Sequence, residues 1–194
     1  YLFFIVLALF LVAFYRSFLT FSETLKKNTE RNFILWAAEN AIHIGNNINS
    51  LTNQINGIAC RTEIRSMEWK NQKPVLVLEC ERCGIESFQI VSPDGKANST
   101  MGYQEDLKEK DYFIAANNEL FIVSDPVARD YDGKTVLLLS APIKDDGQVV
   151  GVLVAHMDTR FLYDIMQTIR FGNTGYGFII NKEGKLLAHS LTEA

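Results

Sequence analysis

An α+β fold is predicted by three features of the chain. A charge-free apolar run continues without proline into a long helical pattern, two apolar strand patterns flank Asp145-Asp146-Gly147, and a second hairpin pattern at 177–189 repeats the one at 88–100. The helical part reads as an N-terminal transmembrane helix continuing into a long stalk helix. The strands read as an antiparallel sheet followed by the opening of a second, similar module.

Composition narrows the class. With 47% hydrophobic residues in 194, the chain can bury one ordinary core plus a fragment of another. It opens at Tyr1 without an initiating Met, and its last strand pattern has no partner, so a piece of a longer protein is expected. The net charge of −4 and the lack of a Lys/Arg stripe interleaved with aromatics argue against nucleic acid as a partner.

Tyr1 to Tyr15 (YLFFIVLALFLVAFY) carries no charge, and apolar character resumes after Arg16 and Ser17 as FLTF. Fifteen helical residues reach only about 22 Å against a hydrocarbon core of ~30 Å, so a span needs upstream residues or extension to Phe21. A signal-peptide apolar region is the main alternative, but no small-residue cleavage site precedes the continuing helical pattern. A buried core helix would show a polar face, which this run lacks. Arg16, Lys26, Lys27 and Arg31 follow the run. The positive-inside bias alone would place them in the cytoplasm, yet large downstream domains translocate largely regardless of charge.

From Thr20 to Ile58 no proline occurs, and Ile34, Ala37, Ala41, Ile44, Ile48, Leu51, Ile55 and Ile58 recur at three- and four-residue steps along one helix face. Such a helix would extend roughly 55 to 60 Å. Two uses of the stripe stay open: pairing with a second chain as a coiled coil, giving a homodimer, or packing on the protein's own sheet. The e and g positions lack regular opposite charges, which favours the second use for the distal half.

Arg61 to Met67 reads as a short connection, and the polar stretch 68–73 is interrupted at Pro74. Residues 75–84 (VLVLECERCG) fit strand or helix. Cys80 and Cys83 form a Cys-x-x-Cys pair with Cys60 upstream. Zinc would need two more ligands at metal spacing, while His43, His156 and His189 are scattered. A redox dithiol would need a βαβ context. Packing or an adventitious disulfide is the expected role, and no cofactor is expected. Glu86 to Ser92 alternates as a strand, Pro93-Asp94-Gly95 is turn chemistry, and the more polar Lys96–Thr100 suits an exposed return strand. Asp111 to Asn117 reads as a short helix and 121–123 as a brief strand broken at Pro126. Lys134 to Ile143 and Gln148 to Met157 are strands apolar on both faces, so both faces must be covered, one of them by the long helix. Phe161, Ile165 and Ile169 mark an amphipathic helix. Gly177–Asn181, a Glu183-Gly184 turn and Lys185–His189 close the chain with the repeated hairpin.

The residues SPDGK at 92–96, DLKEKDYF at 106–113, SDPV at 124–127, GKTVLLLSAPIKDDGQVVGVL at 133–153 and FGNTGYGFIINKEGKLLAHS at 171–190 carry a resemblance that extends over about 20–194. In this order the chain resembles the double Cache sensor domains found outside the membrane in bacterial chemoreceptors, sensor kinases and cyclic-nucleotide-signalling proteins. The resemblance implies a transmembrane anchor at 1–21, a stalk helix at 22–58, a membrane-distal module with a PAS-like antiparallel sheet at 59–169, and the beginning of a membrane-proximal module at 170–194. It also implies an extracytoplasmic position on the cell (inner) membrane, with a second transmembrane helix and an output domain after Ala194.

In the amino-acid-binding branch of that family, a Tyr, Arg, Trp-Tyr motif holds the ligand carboxylate, and later Asp residues hold the ammonium. Laid on this sequence, the Arg position is Lys110, the Trp-Tyr pair is Tyr112 and Phe113, the Tyr position is Leu107, and the acidic positions are Asp125 and Asp158. Lysine attracts a carboxylate as a point charge without arginine's two-pronged contact, so the implied ligand is an amino acid, an amine or a differently shaped organic acid.

Each candidate has a structural alternative. Asp158, ending an apolar strand, binds ligand or caps the helix that starts at Thr159. His156 lies on the same side of that strand by the two-residue period, but two such residues do not make a metal site. Tyr112 and Phe113 serve as ligand walls or core aromatics, and Asp125 binds or shapes the turn before Pro126. Ser124, Asp125 and the histidines supply residue types for hydrolysis, but no Gly-x-Ser-x-Gly occurs, and residue types without geometry are a poor warrant for an enzyme. The expected function is extracytoplasmic small-molecule sensing. The alternative is a structural or partner-binding ectodomain with a vestigial pocket.

Overall fold

The computed structural model describes residues 2–129, 132–168, 177–181 and 184–189. The chain divides into two units, Tyr1–Asn46 and Asn47–Ala194. The first is made of α1 (Leu2–Ala59) up to residue 46. Its large apolar side chains between Leu2 and Phe21 are exposed, and it contains a stretch long and apolar enough to cross a membrane, none of it buried. Polar side chains just beyond that stretch bond within the helix. Thr20 Oγ1 donates to the Arg16 carbonyl at 3.0 Å and Thr24 Oγ1 to the Thr20 carbonyl at 2.8 Å.

The second unit starts with the end of the same helix. The apolar stripe changes character along its length: Ile34 is exposed, Leu51 is half-buried, and Ile55 and Ile58 are fully buried. The distal half therefore packs on the protein's own sheet. One turn of helix, α2 (Thr62–Arg65), leads into α3 (Trp69–Cys83), so the ambiguous stretch 75–83 is helical. The interruption expected at Pro74 does not occur. Proline removes the hydrogen bond to the carbonyl four residues back, but that residue, Lys70, is exposed, and water can serve its carbonyl instead. Within α3, Glu79 is buried and accepts ion pairs from Arg61 and Arg82, each at 2.5 Å. Cys83 Sγ lies 3.6 Å from the same carboxylate. Cys80 and Cys83 pack against the core, and all three cysteines are free thiols.

Strands β1 (Ser87–Val91), β2 (Lys96–Ser99) and β3 (Gln104–Asp106) are followed by α4 (Asp111–Asn117), β4 (Ile122–Val123) and β5 (Val127–Ala128). The long hairpin β6 (Thr135–Asp145) and β7 (Gln148–Asp158) precedes α5 (Arg160–Thr168). The antiparallel sheet runs β3-β2-β1-β7-β6-β4, with β5 also paired to β6. Asp146 and Gly147 both have positive φ, 46° and 80°, as a two-residue hairpin loop requires, and Asp145 pairs with Gln148 across it. The return strand β2 is less exposed than its polarity suggests. The short β3 covers its free edge, and Ala97 and Ser99 are buried. A second hairpin, β8 (Phe178–Ile180) with β9 (Leu186–His189), forms where the repeat predicted it. Ile169 and Glu183 lie outside the described residues.

Period two divides the central strands between two cores. Phe88, Ile90, Leu137, Leu139, Ala141, Leu153, Ala155 and Met157 face the helical side, with Ile55, Ile58, Ile64 and Leu76. Val91, Val136, Leu138, Val152 and Val154 face the opposite side, with Leu107, Phe113 and Ala116. This second face is incompletely apolar. Gln89, Ser87, Ser140 and His156 occupy the same alternation and are all buried.

Candidate functional site

Of the polar positions on the second face, His156 lines a cavity of about 470 Å³, a size suited to a small molecule. Glu105, Lys110, Asp111, Tyr112, Ser124, Arg129 and His156 supply polar lining, and Ala115, Ile122, Val127, Ala128 and Leu138 supply apolar lining. The elements explain the placement. The strand pair β4–β6 is tied by Ser124, whose Oγ accepts the Leu138 N–H at 3.0 Å and donates to the Asp125 carbonyl at 2.6 Å. The connection from β5 to β6 is closed by Arg129 N–H on the Lys134 carbonyl and Gly133 N–H on the Arg129 carbonyl, both 2.9 Å. That closure turns the Arg129 side chain inward.

Arg129 is buried, with only 7% of its side chain accessible. Its Nη1 donates to Glu86 Oε2 at 2.7 Å, while Nε and Nη2 reach the Asp132 carboxylate at 3.1 and 2.6 Å. A buried guanidinium requires such partners. The network continues outward. Lys134 Nζ bonds Glu86 Oε1 and, at 3.0 Å, Asp158 Oδ2. The bond to Glu86, then the bond to Asp158, holds the Lys134 ammonium above its ordinary range. Asp158 in turn accepts the backbone N–H of Arg160 at 2.8 Å and its Nε at 2.9 Å. Burial alone would raise the Asp158 carboxyl; the Arg160 N–H and the Lys134 and Arg160 side chains outweigh it and bring the pKa to about 2.

His156 is 4% exposed. Its Nε2 lies 3.0 Å from Gln89 Oε1, and Gln89 Nε2 donates to Glu105 Oε2 at 3.0 Å and to Tyr103 Oη at 3.2 Å. His156 Nδ1 is buried and meets no hydrogen-bond partner among the described residues, as do Ser87 Oγ and Ser140 Oγ. Burial first, and repulsion by Arg129 second, lower the imidazole pKa to about 4 against a smaller opposing pull from Asp132. The ring is therefore neutral at pH 7.

The structure brings Lys110, Tyr112 and His156 together at the cavity. Phe113 is a core side chain in the second-face cluster, and Leu107 is buried beside it. Asp125 is exposed, lies outside the cavity lining and accepts Asn181 Nδ2 at 2.7 Å. Asp158 also lies outside that lining, engaged at the start of α5. Among the described residues no cluster of three metal-ligating side chains occurs. Arg129, Glu105 and Gln89 were not singled out in the sequence. Gln89 left a trace, an amide in a strand whose neighbours are apolar on both sides. Arg129 left none, because its burial depends on Glu86, 43 residues away.

Comparison with known proteins places these features in a family. The model for the Cache domain matches residues 21–194. The methyl-accepting chemotaxis protein PscA of Pseudomonas syringae pv. tomato is 32% identical over 78 residues, which cover 40% of this chain and 12% of that protein. The methyl-accepting chemotaxis protein PctB of Pseudomonas aeruginosa is 32% identical over 54 residues, covering 28% of this chain and 9% of PctB. The chain thus matches only a small part of the length of these relatives. In fold it is similar to the ligand-binding domain of the Pseudomonas fluorescens chemoreceptor CtaA in complex with L-serine (TM-score 0.67, 19% identity, 77% of this chain and 67% of that one). It is also similar to the ligand-binding domain of the Campylobacter jejuni chemoreceptor Tlp3 in complex with 4-methylisoleucine (TM-score 0.64, 18% identity, 79% of this chain and 65% of that one).

Proposed function

The chain belongs to the Cache domain family, and on that premise we propose that it is the extracytoplasmic sensing part of a membrane-anchored signal-transduction receptor that binds a small molecule. The observation that carries this reading is the cavity on the second sheet face. It is large enough for a ligand of amino-acid size, and it combines apolar walls with Lys110, Arg129 and His156, whose buried Nδ1 meets no partner among the described residues. Relatives that are methyl-accepting chemotaxis proteins, and neighbours in complex with L-serine and 4-methylisoleucine, support a chemotaxis-like input and an amino acid, amine or organic acid as ligand.

Residues 1–21 are the anchor in this reading, 22–58 the stalk helix, 59–169 the membrane-distal module and 170–194 the start of a membrane-proximal one. The stalk offers a surface for homodimer formation. Binding acts on the sheet whose other face packs on Ile55 and Ile58, and α1 is continuous from those residues to its apolar end. In this reading the segment itself works without catalysis.

Thermal-shift screening of the full receptor in lipid nanodiscs against amino acids, amines and organic acids tests the reading. A ligand at one hundred times its Kd stabilises by about 2.7 kcal/mol, a readily measured shift. If no small molecule raises the midpoint, direct sensing is rejected.

A further inference from the structure

The His156 ring is one end of a hydrogen-bonded series whose direction is fixed by chemistry. At neutral pH a carboxylate only accepts hydrogen bonds, so the Gln89 atom facing Glu105 Oε2 at 3.0 Å must be its amide nitrogen. The other side of that amide, Oε1, faces His156 Nε2 at 3.0 Å. An amide oxygen also only accepts, so Nε2 carries the ring proton, and Nδ1 of the neutral imidazole is left with its lone pair. Nδ1 is buried, meets no donor among the described residues, and belongs to a ring that lines the cavity.

The charges around the cavity indicate which donor completes it. Lys110 and Arg129 are the cations of the lining, and Glu105 and Asp111 are its carboxylates. Arg129 is already matched by Glu86 and Asp132. An anionic group arriving at Arg129 must compete with two carboxylates, whereas Glu105 and Asp111 stand on the lining as counter-charges for a positive nitrogen that donates to Nδ1.

We propose that Glu105 and Gln89 lock His156 in the Nε2–H tautomer so that Nδ1 accepts a hydrogen bond from the ligand, making a nitrogen donor, as in an ammonium or amine, the group by which this pocket selects. The proposal rests on the small-molecule reading above and deepens it: His156 is the specificity residue, and Gln89 and Glu105 position it. A ligand carrying a carboxylate alone leaves Nδ1 unpartnered and is discriminated against, because an unmet buried acceptor costs more than a hydrogen bond gains.

The test uses the full receptor in nanodiscs with ¹⁵N-labelled histidine and three matched probe sets: the proteinogenic amino acids, the amines formed by their decarboxylation, and the acids formed by their deamination. The free protein should show His156 as the Nε2–H tautomer. Binders should come from the first two sets, and binding should move the Nδ1 resonance. His156→Phe, which removes the acceptor and keeps a planar ring, should weaken the best binder by roughly tenfold to a hundredfold. Gln89→Leu keeps the imidazole but releases its tautomer. It should weaken binding several-fold while an Nδ1–H signal appears, a change that a merely structural role for Gln89 would not produce. The proposal is overturned by an Nδ1–H tautomer in the wild type, by a deaminated acid binding as tightly as its amino counterpart, or by retention of affinity within twofold in His156→Phe. Each of those results leaves small-molecule sensing standing. No binder in any set rejects the sensing reading and this proposal together.

Discussion

Between pH 6.5 and about 4, the unfolded chain takes up a proton on His156 that the folded chain refuses. The folded imidazole titrates at about 4 because burial, and then Arg129, oppose its charge, while the ordinary value is 6.5. Glu105 with Tyr103 through Gln89, Lys110, Asp111 and Tyr112 at the start of α4, and Glu86 and Asp132 beside Arg129 are other titratable groups facing that region. Because the folded pKa is depressed for a basic group, the unfolded state binds more protons in this window, and stability rises with pH through it. The contribution is complete above pH 6.5 and is lost progressively down to pH 4. At 1.36 kcal/mol per pH unit, that interval is worth about 3 kcal/mol. Urea denaturation of wild type and His156→Gln at half-unit pH steps from 7.5 to 4 measures it. The wild-type unfolding free energy should fall by about 3 kcal/mol more than that of the variant, which lacks the titrating ring. Parallel pH profiles for the two proteins would refute the claim that His156 is held neutral by its surroundings.

Three further outcomes follow from the packing. Gly151 on β7 leaves no room for a side chain, since an added Cβ would lie 2.5 Å from Met67 Cε and 2.8 Å from the Val91 carbonyl oxygen. Met67 can move and the neighbouring strand's backbone cannot, so Gly151→Ala should destabilise by about 1–3 kcal/mol in equilibrium denaturation. Arg129→Met removes the guanidinium from Glu86 and Asp132, whose side chains are 23% and 35% accessible; partial solvation, with Lys134 still on Glu86 and its N–H on Asp132, should hold the loss to about 2 kcal/mol, below the fully buried limit. Adding Glu86→Gln should restore part of that loss in a double-mutant cycle, and strict additivity would sink the pairing. Alkylation with iodoacetamide followed by mass spectrometry should label exposed Cys60 first. Cys80 and Cys83 should react more slowly, because both are partly buried and burial raises their thiol pKa.

The parts of the fold that were legible in the sequence are those whose cause is local. The β6–β7 hairpin announces itself through Asp146-Gly147, and α5 through its periodicity, because turn chemistry and helix faces are properties of a few consecutive residues. The two-residue β5 and three-residue β3 were not legible. Each is a strand only because β6 or β2 offers it a hydrogen-bonding edge. Pro74 misleads for a related reason: local rules place a break there, and the packing of Leu76 and Glu79 keeps the helix intact.

The site divides along the same line. Lys110 and Tyr112 were found beside one another, and His156 by strand period. What makes His156 a chemical device is Gln89, 67 residues away, with Glu105 behind it. Asp158 shows the converse. It shares the face of His156, but two positions further on the strand has reached α5, and its carboxylate is engaged by Arg160 and Lys134. One period-two row thus holds a neutral acceptor at the cavity and an ionised carboxylate beyond it, linked through Lys134, Glu86 and Arg129. Any change of charge beside Arg129 that altered its pairing with Glu86 would alter the charge around Lys134 and so the restraint on Asp158 at the start of α5. Pocket and helix start therefore share a continuous ionic path, which gives binding a physical means of reaching the chain that follows.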